Sequence, residues 1–376
     1  MKYIDEFRDG GVARKIARAI EAEAAPERAY RLMEFCGGHT HAISRYGLED
    51  LLPPAIRLIH GPGCPVCVLP IGRIDAAIWL AGQPGVTLVT YGDMLRVPGS
   101  GRVSLLKAKA AGADIRMVQS TQDALALARK LPDRQVVFFA IGFETTTPPT
   151  AVAVKRAQTE GLSNFSVFCN HVLTPPAIAH ILGAPEDQAA RLDGFIGPAH
   201  VSTVIGWRPY QAAAEVYRKP VVIAGFEPLD VLQAVLMLVR QINQGRAEVE
   251  NEFVRAVTET GNAKAQALVA EVLELRETFE WRGLGSVAHS ALRLRPEFAD
   301  FDAERRWPVP QSDASDNPAC ECGDILRGLK RPSQCKLFGT TCTPENPMGA
   351  CMVSAEGACA AHWTYGRFRD HSEASP

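Results

Sequence analysis

The chain has no marked excess of charge, no long apolar run, no phosphate-loop signature and no two close CxxC pairs of the kind that hold structural zinc. Its 376 residues carry 40 basic and 42 acidic side chains, for a formal charge of -2. There is no general electrostatic pull toward a phosphate backbone, so nucleic acid is not expected as a partner. No run approaches the roughly 20 apolar residues that span a bilayer, so no membrane partner is expected either. Met1-Lys2-Tyr3-Ile4-Asp5-Glu6-Phe7 is charged and amphipathic where a secretory signal is basic and then apolar. The expected location is cytoplasmic. Neither GxxxxGKS/T nor GxGxxG follows a strand-like run, and nucleotide binding has no positive signal.

What the chain does have is cysteine. There are ten: Cys36, Cys64 and Cys67 lie early, Cys169 stands alone, and six fall between Cys320 and Cys359. In a cytoplasmic chain this points to metal or redox chemistry more than to a disulfide framework. Gly61-Pro62-Gly63-Cys64-Pro65-Val66-Cys67 follows the apolar run Ala55 to Ile59, which reads as a buried strand with both thiols on the loop at its carboxyl end. Such a pair can close a disulfide or bind a metal as thiolates, and exposure at a strand end favours a redox pair. Glu34-Phe35-Cys36-Gly37-Gly38-His39-Thr40-His41 ends the preceding run, Tyr30 to Phe35. If both strands belong to one parallel sheet, their carboxyl ends bring three thiols and two imidazoles together. A lone cysteine such as Cys36 is commonly a small core hydrophobe, yet Gly37 and Gly38 let another molecule approach the backbone. His39 and His41 can each serve as acid, base or ligand, or pack as core.

At this length two or three domains are expected. From Tyr30 to Leu131 short apolar runs alternate with helical stretches, and from Gln135 to Gln241 the same order returns at a nearly constant offset. Strands alternating with helices predict parallel sheets covered on both faces. The expected architecture is α/β: two related parallel-sheet domains, 30–131 and 132–241, facing a cleft that forms the binding site. A mainly helical, cysteine-rich domain is expected from 1–29 and 242–376, with polar helices at Ala247 to Thr260 and Ala263 to Phe279. Gly142-Phe143-Glu144-Thr145-Thr146-Thr147-Pro148-Pro149 puts Glu144 at a strand-to-helix turn, either capping the helix or reaching across the cleft. Asn170, His171 and His200 end later strands and are candidates to line the same cleft. Cys169 sits in an apolar run and reads as core.

Cys322, Cys335, Cys342, Cys351 and Cys359 occupy a turn-rich segment with little apolar material of its own, so a cofactor is expected to organise it. Thiolates without paired histidines suit an iron-sulfur cluster or zinc, and unligated cysteine is the bland alternative.

These motifs together resemble the HypD family of [NiFe]-hydrogenase maturation proteins. The resemblance rests on Phe35-Cys36-Gly37-Gly38-His39-Thr40-His41, Gly61-Pro62-Gly63-Cys64-Pro65-Val66-Cys67, Tyr91-Gly92-Asp93-Met94, Gly142-Phe143-Glu144-Thr145-Thr146, Cys342 to Ser354, and Glu356-Gly357-Ala358-Cys359. It implies a scaffold on which iron acquires cyanide and carbon monoxide, rather than a conventional turnover enzyme. It also implies a [4Fe-4S] cluster, a HypC-type chaperone sharing the iron, and transient contact with HypE, which delivers cyanide made with HypF. Carried across, Cys36 is the iron ligand and Cys64 and Cys67 the redox couple; His39 and Glu144, candidates from their own positions, are expected to act beside them as catalytic residues. For the cluster the choice falls on Cys322, Cys335, Cys342 and Cys359, with Cys351 the alternate and Cys320 a competitor. On this reading the cluster passes electrons to the thiol pair and so to the iron site. The competing reading is an iron-sulfur thiol-disulfide oxidoreductase acting on a protein partner.

Overall fold

The computed structural model describes residues 5–185, 190–310, 312 and 314–368. Asp313, part of the expected Pro-rich linker, and Met1 to Ile4 lie outside the described residues. Eight apolar runs form eight strands: β1 (Tyr30–Glu34), β2 (Ile56–His60), β3 (Val86–Thr90), β4 (Ile115–Met117), β5 (Gln135–Gly142), β6 (Phe165–His171), β7 (Gly194–Pro198) and β8 (Val221–Ala224). All pair in parallel, and they make two sheets: β2-β1-β7-β8, extended by β9 (Val249–Asn251), and β4-β3-β5-β6. β3, β5, β6 and β8 are buried on nearly every residue, as strands covered by helices on both faces must be.

The sheets do not divide the chain at residue 131. Each half of the sequence contributes two strands to each sheet, so the first sheet takes β1 and β2 from one half and β7 and β8 from the other. Exchanging β1 with β5, β2 with β6, β3 with β7 and β4 with β8 turns one sheet's order into the other's, read backwards. The corresponding strands begin at offsets of 105, 109, 108 and 106 residues. The repeated order in the sequence is therefore present, but the two halves are interleaved. Periodicity identifies strands and says nothing of which sheet a parallel strand joins.

The flanking segments also differ from expectation. The helix Gly10–Glu23 buries Ala13, Ala17 and Ile20 against the first sheet's outer layer. There Arg240 bonds the Glu23 carboxylate and Asn243 its carbonyl. The helix thus belongs to that domain and not to the cysteine-rich end, and Val12, expected on its apolar stripe, is 39% exposed. Ala247–Thr260 is not helical: it supplies β9 and turns, because Val249 continues the first sheet beside Val221. After helix Ala263–Val272 come two antiparallel pairs, Leu273–Leu275 with Leu292–Leu294 and Thr278–Trp281 with Gly285–Ala288. Beyond Asp302 the described residues form only short helical turns.

Candidate functional site

β1 and β2 are register neighbours, Glu34 opposite His60, so the turns after them press together. The Gly37 N–H donates to the Gly63 carbonyl at 3.1 Å. A Cβ on Gly63 would overlap the Cys36 backbone, and one on Gly37 would overlap Glu356. Glycine here permits backbone contact between two loops that each end in sulfur. Cys36 stands in extended conformation just before the helix Gly37–Tyr46 and is 2% exposed.

Beneath it lies Glu34, fully buried at the end of β1. Its carboxylate accepts the Cys36 N–H at 2.9 Å, the His60 Nδ1–H at 2.8 Å and the Thr40 hydroxyl. Burial pushes the Glu34 carboxyl up, opposed by His60. Burial pulls His60 down, but its bond to Glu34 and that charge more than offset this, and its net shift is upward. Neither residue was singled out by motif reasoning; Glu34 reads as an ordinary strand-end acid until the register sets it under the loop.

Two histidines face this turn. His200, at the first turn of helix Ala199–Ile205, sets Nδ1 3.4 Å from Cys36 Sγ. His39 is fully buried; its Nε2 hydrogen-bonds the Ala224 and Gly225 carbonyls at 3.1 and 2.9 Å, so the proton sits there and Nδ1 is left with a lone pair and no partner. Both rings pack on Phe226, at 4.8 and 5.2 Å. Burial lowers both imidazoles to about 4. Burial, and next the Glu356 carboxyl, push the Cys36 thiol well up. Near neutral pH this puts a neutral thiol next to the neutral His200 imidazole. Desolvation, and next the Asp93 and Glu34 carboxylates, shift Glu356 upward. It stands in a quoted motif, yet spacing gave no sign that it meets Gly37.

Cys64 and Cys67 form a disulfide across the first turn of the short helix Pro65–Val68. They are 3% and 0% exposed, against the expected exposure, because the short C-terminal turn Ala350–Met352 and the Phe139–Phe143 strand end close over the loop. Glu144 does not reach across to the cysteines. It accepts the Thr174 N–H at 2.7 Å and the Thr174 hydroxyl at 3.0 Å, capping the next helix, and burial raises it to about 7. His171 is held by Thr146 and Thr150 at 3.1 and 2.9 Å, and Asn170 by Arg73. Both stay within the second sheet's own turns. Cys169 is core, its thiol donating to the Leu292 carbonyl. His41 lies aside, edge-on to Tyr365.

The C-terminal thiols gather elsewhere. Cys320, Cys322, Cys335, Cys342 and Cys359 line one small pocket with Ile325, Leu337, Phe338 and Met352, and Cys351 is not part of that lining. Cys320 and Cys322 Sγ are 3.3 Å apart. A Cβ on Gly349 would come within 2.5 and 2.6 Å of those two sulfurs, so glycine keeps the gap open. The thiols raise one another: Cys322 and then burial push Cys359 well up, and Cys322 does the same to Cys320. Several thiolates at such spacing coexist only around positive charge. Among the described residues no three His, Cys, Asp or Glu side chains converge on a single ion's position.

Comparison with known proteins places this arrangement. The family model HypD, described as "Hydrogenase formation hypA family", matches residues 11–366. The chain is 69% identical over 373 residues to the hydrogenase maturation factor HypD of Rhizobium leguminosarum, covering 98% of this chain and 97% of that one. It is 65% identical to HypD of Cupriavidus necator, over 98% of both chains. With HypD of Escherichia coli it shares 46% identity over 97% of this chain and 98% of that protein. A match running through both sheets and the C-terminal cysteines leaves one conclusion: the chain belongs to the HypD family of hydrogenase maturation factors.

Proposed function

We propose that this protein is the scaffold on which iron acquires cyanide and carbon monoxide before transfer to a [NiFe]-hydrogenase, held jointly with a HypC-type chaperone. The observation that carries it is Cys36 Sγ at 3.4 Å from His200 and beside His39, whose buried Nδ1 lacks a partner. A soft thiol next to one borderline imidazole suits low-spin iron, which is the cargo here and completes its ligands with cyanide, carbon monoxide and the chaperone. Cys36 holds the metal, the His200 imidazole orients it, and Phe226 excludes water. The Cys64–Cys67 disulfide lies on the loop pressed against Cys36 and serves as the redox couple; opening it takes two electrons and two protons and yields two thiols. HypE, the expected cyanide donor, docks transiently on the same face.

The C-terminal pocket fits a [4Fe-4S] cluster. Its thiols surround a gap rather than a single point, its walls are apolar, and Gly349 leaves room. Cys335, Cys342 and Cys359 would hold it together with one of the adjacent pair Cys320 and Cys322. Such a cluster supplies one-electron transfer. An oxidoreductase acting on a protein partner is less well supported, because an attacking thiolate must reach a disulfide whose two cysteines are 3% and 0% exposed.

The test is the infrared spectrum of anaerobically purified protein, alone and with its chaperone, from cells making all maturation partners. Metal-bound cyanide and carbonyl bands are expected in the wild type and lost in Cys36→Ala. Absence of bands in wild-type protein with an intact cluster overturns the scaffold.

A further inference from the structure

On the edge of the first sheet lies a cavity of about 380 Å³ whose lining includes five arginines and lysines against one acid among the described residues. Arg31 on β1 and Arg57 on β2 are register partners on adjacent parallel strands, as are Met33 and Ile59 two residues on. Their side chains leave the same face. Like charges directly opposed across two strands repel, and an alternation of Arg then apolar on both strands would be costly without something between the guanidiniums. The segment Gly328 to Gln334 roofs this face. Gly328 sits in left-handed conformation so close that a Cβ there would overlap Ile59 and meet Met33 at 3.1 Å. That roof adds Lys330 and Arg331 to the wall. Among the described residues Arg31, Arg57 and Arg331 have no carboxylate partner, while Lys330 is bonded to Glu321. His60 is also in the lining, bonded through Nδ1 to Glu34, and among the described residues Glu49 is the one acid there.

We propose that this cavity is a binding site for a phosphoryl-bearing anion. A phosphoryl group carries close to two charges at neutral pH and offers three oxygens, which arginine forks engage in pairs. Arg31 and Arg57 hold it from the sheet and Arg331 from the roof. The volume falls within the range of small-molecule pockets and exceeds the needs of a lone phosphate, so the ligand is a phosphorylated small molecule or a short phosphate chain. This site does not depend on the proposed iron chemistry.

The experiment is calorimetric titration of the full-length protein with inorganic phosphate, with pyrophosphate and with glycerol 3-phosphate, sodium chloride serving as the ionic-strength control. One saturable site is expected, with pyrophosphate tightest if the ligand is a phosphate chain and glycerol 3-phosphate tightest if it is a phosphorylated metabolite. Arg57→Gln, at an exposed strand position, and Arg331→Gln, in the roof, are each expected to weaken binding at least ten-fold while the melting temperature of the unliganded protein does not fall. No saturable binding of any of the three probes, or binding that both variants leave intact, overturns the site. Should one variant fold poorly, the other decides.

Discussion

The protein holds sulfur in two ways, and the contrast is instructive. Around Cys36, Cys64 and Cys67 the positions are fixed by backbone: parallel register sets Glu34 beside His60, and glycines let two loops touch. Around Cys335, Cys342 and Cys359 there is almost no regular structure, and the thiols face a shared gap while raising one another's pKa. The first site is fixed by the fold itself. The second is a set of thiols that the fold alone holds close together, and on the function proposed above a cluster would relieve their mutual repulsion.

The largest expected difference follows from that. Cys335→Ser with Cys342→Ser should abolish bound iron-sulfur, measured as iron and acid-labile sulfide, and should leave the segment after Ala319 cleaved far faster by protease, while the two sheets keep their circular dichroism. If the segment stays protected without iron, it folds on its own and the contrast is broken. Gly63→Ala comes next. Its Cβ meets backbone rather than a flexible side chain, so a loss of about 1–3 kcal/mol is expected in denaturant unfolding, whereas Gly349→Ala should show chiefly as lost iron.

A pH dependence should likewise belong to the preformed region. Burial holds His39 and His171 at about 4 in the folded protein, below the ordinary imidazole value of about 6.5. Between these values the unfolded chain takes up protons that the folded one refuses, so stability falls as pH drops from about 6.5 toward 4. Unfolding midpoints should decline across that window, and His171→Asn should flatten the decline; Thr146 and Thr150 can bond the amide in its place. Glu144, raised to about 7, acts in the opposite sense, its contribution fading as pH rises toward 7. The smallest effect is Glu34→Gln. It keeps the shape but removes the charge, so burial and Arg331 then lower His60 against Glu49 alone, and an NMR titration should find that imidazole below its ordinary value at a stability cost of about 1 kcal/mol.

Much of this was legible in the chain. Every apolar run read as a strand is one, with ends moved by a residue or two, because buried parallel strands demand unbroken Val, Ile and Phe. The convergence of Cys36 with Cys64 and Cys67 followed from placing both turns at carboxyl ends of one sheet. What sequence could not carry was partnership at a distance. Nothing in Gly194 to Pro198 says that it lies beside Tyr30 to Glu34, so His200 was placed at the cleft but not against Cys36 Sγ. Glu144 was read both as a cap and as a group reaching the cleft, and only coordinates show it spent on Thr174. The burial of the disulfide depends on Ala350–Met352, almost three hundred residues away.

The exchanged strand order has a consequence for synthesis. β3 to β6 are contiguous, so that sheet can close as soon as His171 has left the ribosome. β1 and β2 have by then long been made, yet the inner edge of β1 stays unpaired until Gly194 emerges. Throughout that interval the nascent chain presents an open strand edge ending in Cys36, with Cys64 and Cys67 beside it. The stretch of translation between Tyr30 and Ala224 is therefore when these three sulfurs are most open to stray oxidation, and a slow passage through it should cost the cell more misfolded protein than a pause anywhere later.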